Sequence, residues 1–547
     1  MSSTADQPAE KQKLGWKFPR TFWFANGAEL FERAAYYGMF ITLMRYLSND
    51  IGFTDVEAGV ISGTFSSVLY FLPTFMGIMA DKIGFKQALM IAFTLLTAGY
   101  GLLGAFQLKS TALVSLFLVM CGGAIVKPVI SGTVAKASDS AHRARAMSIF
   151  YMVVNIGSFS GKGLAGFLNE RWGLQYINFY AAAMSLAALV LVCFFYKNMD
   201  TKGTGKTVKE ALRGLFKVMK NFRFLSLILI VSGFWAIQGQ LYASMPTYIE
   251  RLLGSHYKPE WLANINPLVV VVLVVPITHM VRRFQPSSAI GIGLFIIPFT
   301  ALLVALASTV ESIWGQSISL YFFSVHPLIL MVVIGIGLQG LAECFLSPKF
   351  LEYASKQAPE GEVGLYLGYQ HLTTFFAWFF GFVMAGLLLQ NYCPDPKTFT
   401  PEVRHEWRMA IDHKYVFTMD SALEEDLQED AAVSQSIRGA FQDHGLDVPE
   451  SARLTEEREN VWKVTTEEEE FTVKAVVLKH DNREWTELLV STKEDRAPEQ
   501  TPPLPEAYAH AHYLWLVFTG VGVSALVALL VFKFVTGKID SRQKALS

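Results

Sequence analysis

The sequence predicts an all-α, polytopic membrane protein with a small α+β insert outside the bilayer. Three observations carry this expectation. Of the 547 residues, 52% are hydrophobic and 17% charged, with 42 Phe and a mean hydropathy of +0.33, whereas a soluble domain carries about 25% charged residues. Apolar stretches long enough to cross a bilayer as a helix, about 20 residues each, recur along the chain. The charge is also divided: residues 393–508 hold 27 acidic against 13 basic side chains, a net of −14, while the remainder nets +13. Two regions of opposite sign imply two environments.

The apolar stretches lie at 21–47, 57–80, 87–107, 111–136, 144–169, 177–196, 223–251, 262–281, 288–309, 325–348, 364–391 and 511–535, twelve spans in all. Their glycine and proline content suits close-packed membrane helices. With the N-terminus placed in the cytoplasm, 25 of the 33 basic residues outside 393–508 fall on the cytoplasmic side, as the positive-inside rule requires. Arg45, Lys109, Arg171, Arg251 and Lys258 fall on the opposite side, and Arg33, Lys127 and Lys162 within spans. The opening MSSTADQPAEKQK has no apolar core, so no cleaved signal peptide is expected. Cys121, Cys193 and Cys344 sit in apolar spans and leave Cys393 alone, which argues against a disulfide framework.

The chain thus divides into a first six-helix bundle (1–197), a basic, partly amphipathic cytoplasmic linker (198–222), helices seven to eleven (223–392), an acidic extracytoplasmic insert (393–508), and a twelfth helix with a cytoplasmic tail (509–547). Within the insert AVSQSIRGAFQDHGL reads as a helix ended by glycine, and VWKVT, FTVKAVVLK and EWTELLVST read as strands, with His480–Arg483 as a turn. PEQTPPLPEAY is a stiff tether back to the membrane. The histidines of the insert show no ligand spacing, so neither a metal nor a cofactor is expected.

The first span contains GAELFERAAYYGMF, residues 27–40. A charge at the bilayer centre costs about 2.5–3.5 kcal/mol on insertion scales, and this span carries three within five residues. On a helix Glu29, Glu32, Arg33, Tyr36 and Tyr37 are joined by i+3 and i+4 steps and share one face. They form either a structural ion pair at a packing seam or a proton-and-substrate site in which two carboxylates compete for one guanidinium. Lys127 in the fourth span and Glu343 in the tenth add a cation on one half and an acid on the other, a bipolar arrangement suited to a zwitterion.

Through these residues the chain resembles the proton-dependent oligopeptide transporters of the major facilitator superfamily, over all twelve spans but not residues 393–508. The Glu-x-x-Glu-Arg motif is complete as Glu29, Glu32 and Arg33, followed by Tyr36, Tyr37 and Gly38. Lys127-Pro128 resembles the fourth-helix Lys-Pro, Asn155 and Gly157 the fifth-helix Asn-x-Gly, Asn266-Pro267 the eighth-helix Asn-Pro, and Glu343 with Ser347-Pro348 the tenth-helix motif. Tyr70 and Trp235 fall where the family has pocket aromatics. Gly77, Asp81, Lys82, Gly84 and Lys86 meet the superfamily loop between helices two and three. The resemblance implies a major facilitator fold of two six-helix bundles and proton-driven uptake of di- or tripeptides. Glu29, Glu32 and Arg33 would couple protons. Arg33 and Lys127 would take the peptide carboxylate and Glu343 the amine, with Tyr37, Asn155 and Asn266 on the peptide backbone. The implied partners are a small peptide, protons and membrane lipids, with no nucleic acid; the partner of the insert stays open. A bacterial inner membrane is the expected location.

Four departures from the family pattern stand out. Gly239 in FWAIQGQ occupies the place of a seventh-helix acid. Gln370, with His371 beside it, replaces an eleventh-helix pocket Trp, and His371 is either a proton relay or a packing residue. SGTVAKASD lacks the family's Gly-Asp-Gln-Phe. Lys162, two turns beyond Asn155, either enters the cavity or snorkels outward, and the outward course is the expectation. No phosphate-cradling loop, metal-ligand set or nucleophile–base pair points to an enzyme. The alternatives are the same fold moving another small zwitterion or organic anion with weak or no proton coupling, and a membrane receptor that uses the outer insert.

Overall fold

The computed structural model describes residues 18–138, 142–197, 207–254, 257–321, 323–359, 362–399, 403, 407, 414–418, 453–458, 461–465, 470–480, 483–492 and 505–546. It is an all-α membrane protein whose described strands are few. The residues gather into two compact units. One holds the described residues up to Phe40 together with Phe65–Lys220; the other holds Ile41–Thr64 and the described residues from Asn221 onward.

In the first unit, α1 (Arg20–Phe40) is followed by α2 (Asp55–Phe71), of which Phe65–Phe71 belong here, then α3 (Pro73–Ile83), α4 (Phe85–Ala105), α5 (Lys109–Lys136), α6 (Arg143–Trp172), α7 (Gln175–Phe195) and α8 (Val208–Met219). The second predicted span is broken rather than continuous. Pro73 has no N–H to continue α2, and α2 and α3 meet at 55°. Gly84, at φ +91°, joins α3 to α4 without an intervening loop. Gly77, from the same predicted loop motif, faces the Pro128 ring of α5, which a Cβ there would approach to 3.3 Å. Lys86 donates to the Cys193 carbonyl at 2.8 Å, near the C-terminal end of α7, where the helix dipole favours a cation. Asp81 is half-buried and Lys82 exposed. In the predicted linker, α8 starts with a capping box, Thr207 and Glu210 each bonding the other's backbone N–H.

The second unit runs through α9 (Phe222–Gln238), α10 (Met245–Leu253), α11 (Ile265–Met280), α12 (Pro286–Ala305), α13 (Ala307–Trp314), a hairpin of β1 (Ile318–Leu320) and β2 (Phe323–Val325), α14 (Pro327–Gln357), α15 (Val363–Tyr369) and α16 (Leu372–Tyr392). The insert contributes β3 (Lys414–Thr418), β4 (Arg453–Arg458), β5 (Val461–Thr465), β6 (Glu470–His480) and β7 (Arg483–Thr492), and α17 (Tyr513–Leu546) completes the chain. The strands form one antiparallel sheet in the order β3-β7-β6-β5-β4. The three strands read from period-two alternation become β5, β6 and β7, and His480 pairs with Arg483 across the expected turn. The helix read over AVSQSIRGAFQDHGL lies outside the described residues. The four cysteines are free thiols.

Among the described residues nine helices are long and apolar enough to cross a bilayer, and the bent α2–α3 pair makes ten. The first and fifth predicted spans are occupied by α1 and α6, whose composition sets them apart. α1 carries Arg20, Glu29, Glu32 and Arg33, and α6 carries Arg143, Arg145, Lys162, Glu170 and Arg171. The eleventh predicted span is interrupted where Gln370 and His371 separate α15 from α16.

Candidate functional site: a buried charge cluster

The predicted ion-pair motif forms inside the first unit. Glu29, Glu32 and Arg33 are each at most 5% exposed. Arg33 Nε lies 3.1 Å from Glu29 Oε1, and its Nη2 pairs with Glu32. The pairing needs nothing beyond one helical turn, since i+4 spacing stacks Glu29 and Arg33 on one face. The guanidinium also lies 5.5 and 6.0 Å from the ring centroids of Tyr36 and Tyr37, within cation–π range. Glu29 Oε2 and the Tyr36 hydroxyl are buried without a hydrogen-bond partner among the described residues, and unmade buried hydrogen bonds are costly.

What places α1 here is glycine on α6. A Cβ on Gly157 would come within 2.7 Å of Arg33 Cβ, and one on Gly161 would collide with the Ala34 carbonyl. Two missing side chains one turn apart let α6 lie against the backbone of α1 at the charged residues. Gly157 was legible from the Asn-x-Gly motif. Gly161 was not singled out, although the Gly157-x-x-x-Gly161 spacing was visible.

Lys127 approaches from α5. It is half-buried, with its Nζ 3.9 Å from the centroid of the Tyr70 ring. Tyr70 sits just before the break at Pro73, so the α2–α3 bend belongs to the positioning of this pair. Lys162 corrects the outward expectation. It is 0% exposed, and its Nζ lies 5.9 Å from the Tyr37 ring centroid. The course was misjudged because the side of α6 that faces α1 is set by Gly157 and Gly161, which one residue's spacing from Asn155 does not reveal. Asn155 directs its amide donor to its own helix, bonding the Tyr151 carbonyl at 2.8 Å.

In the second unit, Glu343 on α14 accepts a 2.6 Å hydrogen bond from Gln238 Nε2 on α9, a partner that sequence reading did not identify. Gly239 follows at the end of α9 with φ −60°, which any residue adopts. A Cβ there would come no closer than 3.7 Å to the Trp378 ring, an ordinary contact. Neither backbone nor packing requires glycine in the place of the expected acid. Trp235 is half-buried, edge-on to Phe234. Asn266 is buried, and its Nδ2 has no hydrogen-bond partner among the described residues. Gln370 is half-buried at the helix break, with its carbonyl accepting from Thr373, and His371 is exposed rather than packed.

A second set of buried charges, among them the Arg45 and Arg251 that the sequence places on the non-cytoplasmic side, is also in this unit. Arg45 donates to Glu250 at 2.8 Å and pairs with Glu260. Arg251 grips both oxygens of Asp55 at 2.8 Å and donates to the Cys393 carbonyl at 2.6 Å, with Asp395 3.8 Å away. Lys397 donates to the Asn49 carbonyl, and Trp407 Nε1 donates to the Arg251 carbonyl at 3.1 Å. Arg45 and Arg251 are below 5% exposed. Burial pushes the Cys393 thiol up to about 12, against the opposing pull of Arg251. Sequence reading missed these pairs because their partners lie between 142 and 348 positions away.

Comparison with known proteins adds three findings. The model of the Major Facilitator Superfamily matches residues 30–325. A crystal structure of a POT family transporter in complex with 5-aminolevulinic acid is similar in fold at a TM-score of 0.59 and 19% identity, covering 69% of this chain and 92% of that one; the POT family transporter PepTSo gives 0.59 and 15%, covering 95% and 98%. In sequence, the multidrug resistance protein MdtH of Enterobacter sp. (strain 638) is 24% identical over 279 residues, 51% of this chain and 68% of its own length.

Proposed function

This chain belongs to the major facilitator superfamily, a family of transporters rather than enzymes, and from that premise we propose that it takes up di- or tripeptides together with protons by alternating access. The observation that carries the reading is the grip of two buried carboxylates on Arg33. Protonating either one loosens the guanidinium, which can then bind a substrate carboxylate; the substrate's departure restores the pair. Lys127 on the Tyr70 ring supplies a second cation for the carboxylate, and Glu343 takes the amine, with Gln238 orienting it. The unpartnered Asn266 donor suits a peptide carbonyl, and Tyr37, Asn155, Trp235 and Gln370 shape the remainder of the site. The likeness in fold to POT family transporters supports the substrate class. The excess of basic residues on one side supports cytoplasmic termini and an extracytoplasmic insert.

The test is uptake into proteoliposomes. Dipeptide accumulation under an imposed inward proton gradient, abolished by a protonophore, supports the proposal; gradient-independent uptake of dipeptide removes the coupling, and absence of dipeptide uptake removes the substrate class. A second reading, transport of another small zwitterion or organic anion with little coupling, is favoured by Gly239, where no carboxylate stands although a Cβ would meet only ordinary contacts. The sequence similarity to a multidrug resistance protein points the same way. Uptake of such a solute, competed by unrelated anions and insensitive to external pH, identifies it.

A further inference from the structure

The proposed mechanism makes no use of α8, the helix between the sixth and seventh predicted spans. It is 12 residues long, about 18 Å, well short of the roughly 30 Å hydrocarbon core, so it does not cross the bilayer. Only Lys220 and Asn221 separate it from α9, which opens an apolar segment long enough to span. Two residues reach about 7 Å when extended, so the C-terminal end of α8 stays near the level where that span begins.

The side chains of α8 fall into three sectors around its axis. Ala211, Gly214 and Val218, at steps of three and four, are buried, and α8 packs on α3. Val208, Leu212, Phe216 and Met219 are all exposed, Phe216 to 63%, and they fall within about 80° of arc. Lys209, Arg213, Lys217 and Lys220 border that stripe on the side away from the packed sector, and they too are exposed. The one acid of this stretch, Glu210, is engaged in the capping box with Thr207. An exposed apolar stripe beside a row of cations, on a helix too short to span, is the pattern of a helix lying in the membrane interface. Zwitterionic headgroups answer only the apolar stripe. Anionic headgroups answer the stripe and the cations together.

We propose that α8 is an interfacial anchor that binds anionic lipid headgroups, its apolar stripe seated among the acyl chains and its cations on the negative headgroups. The proposal does not depend on which solute the protein moves. To test it, the full-length protein, with its four cysteines replaced and Phe216→Cys carrying an environment-sensitive fluorophore, is reconstituted into vesicles. One set is phosphatidylcholine alone; the other contains about one third phosphatidylglycerol, an anionic lipid. In the anionic vesicles, quenching by acrylamide is expected to fall about threefold relative to the neutral ones, while quenching by spin-labelled acyl chains rises. Salt near 1 M, where the Debye length is about 3 Å, should return both readings towards the neutral values. Lys209→Gln, Arg213→Gln and Lys220→Gln combined should do the same at low salt. Where Phe216→Cys fails to fold, Met219→Cys on the same stripe carries the measurement. A label open to acrylamide in both sets of vesicles overturns the anchor. A label shielded from acrylamide and from spin-labelled lipid alike shows that protein covers the stripe (another segment, a second copy or a partner) and overturns it as well. Lipid quenching that is equal in the two compositions removes the anionic preference, and with it the proposal.

Discussion

The two sets of buried ion pairs differ in how far apart their partners lie in the chain. Glu29, Glu32 and Arg33 fit within two turns of α1, so their proximity lasts as long as the helix does. Arg45 meets carboxylates 205 and 215 positions away, and Arg251 meets Asp55 196 positions away and the Cys393 carbonyl 142 positions away, and their proximity lasts only while Ile41–Thr64 stays packed on the rest of the second unit. The local set can exchange one partner for another without the fold coming apart, which suits repeated protonation. The remote set is an all-or-none fastening. Both are buried and the desolvation cost is similar in kind, but one is fit for switching and the other for holding.

The largest expected effect tests the fastening. Arg251→Ala leaves Asp55 buried and unpaired, and should lower stability by about 3–5 kcal/mol, read as a large drop in melting temperature in detergent. Equal melting temperatures for variant and wild type would show that the remote pairs hold nothing. On the switching side, Glu32→Gln should reduce gradient-driven uptake at least tenfold, about 1.4 kcal/mol or more, while counterflow persists; loss of both in parallel would assign Glu32 to binding instead. A reporter for the fastening is already in place. Cys393 is 0% exposed and its thiol sits far above neutral pH, so in a background with no other cysteine it should resist maleimide. Because its pKa is raised, thiolate forms only as pH climbs towards 12, and exposure through Arg251→Ala should speed labelling at pH 7 to 8 towards that of an ordinary thiol. The smallest effect is expected for Trp407→Phe, which forfeits one hydrogen bond to the Arg251 carbonyl, about 1 kcal/mol.

The same contrast explains what the sequence could reveal. Helix positions and the Glu29–Glu32–Arg33 face were legible because hydrophobic runs and i+4 spacing are local. So were β5 to β7, whose alternation and two-residue connection are likewise local. The α2–α3 break had a signal in Pro73, although the span was read as continuous. The break at Gln370-His371 has no proline to announce it, and Gly368 two residues earlier is its only local signal. Arg45 and Arg251 could be assigned from sequence only to a side of the membrane, because position relative to a span was the information at hand, while their burial depends on Glu250, Glu260, Asp55 and Cys393 arriving from elsewhere. Lys162 was misplaced for a related reason: α6 turns that face inward only because two glycines admit α1.

Tyr508 donates its hydroxyl to the Pro394 carbonyl at 3.0 Å, 114 positions back, and stacks edge-on against Phe399 and Trp407. The strand-bearing segment thus leaves and re-enters through a stapled doorway. Threading over a hundred residues through such a doorway costs the membrane portion little, because loop-closure entropy grows only with the logarithm of length. A single cut among residues 419–452 would accordingly leave the two pieces clasped, co-migrating until the detergent itself unfolds them, and a foreign domain of similar size could be spliced in between without the transmembrane helices taking notice.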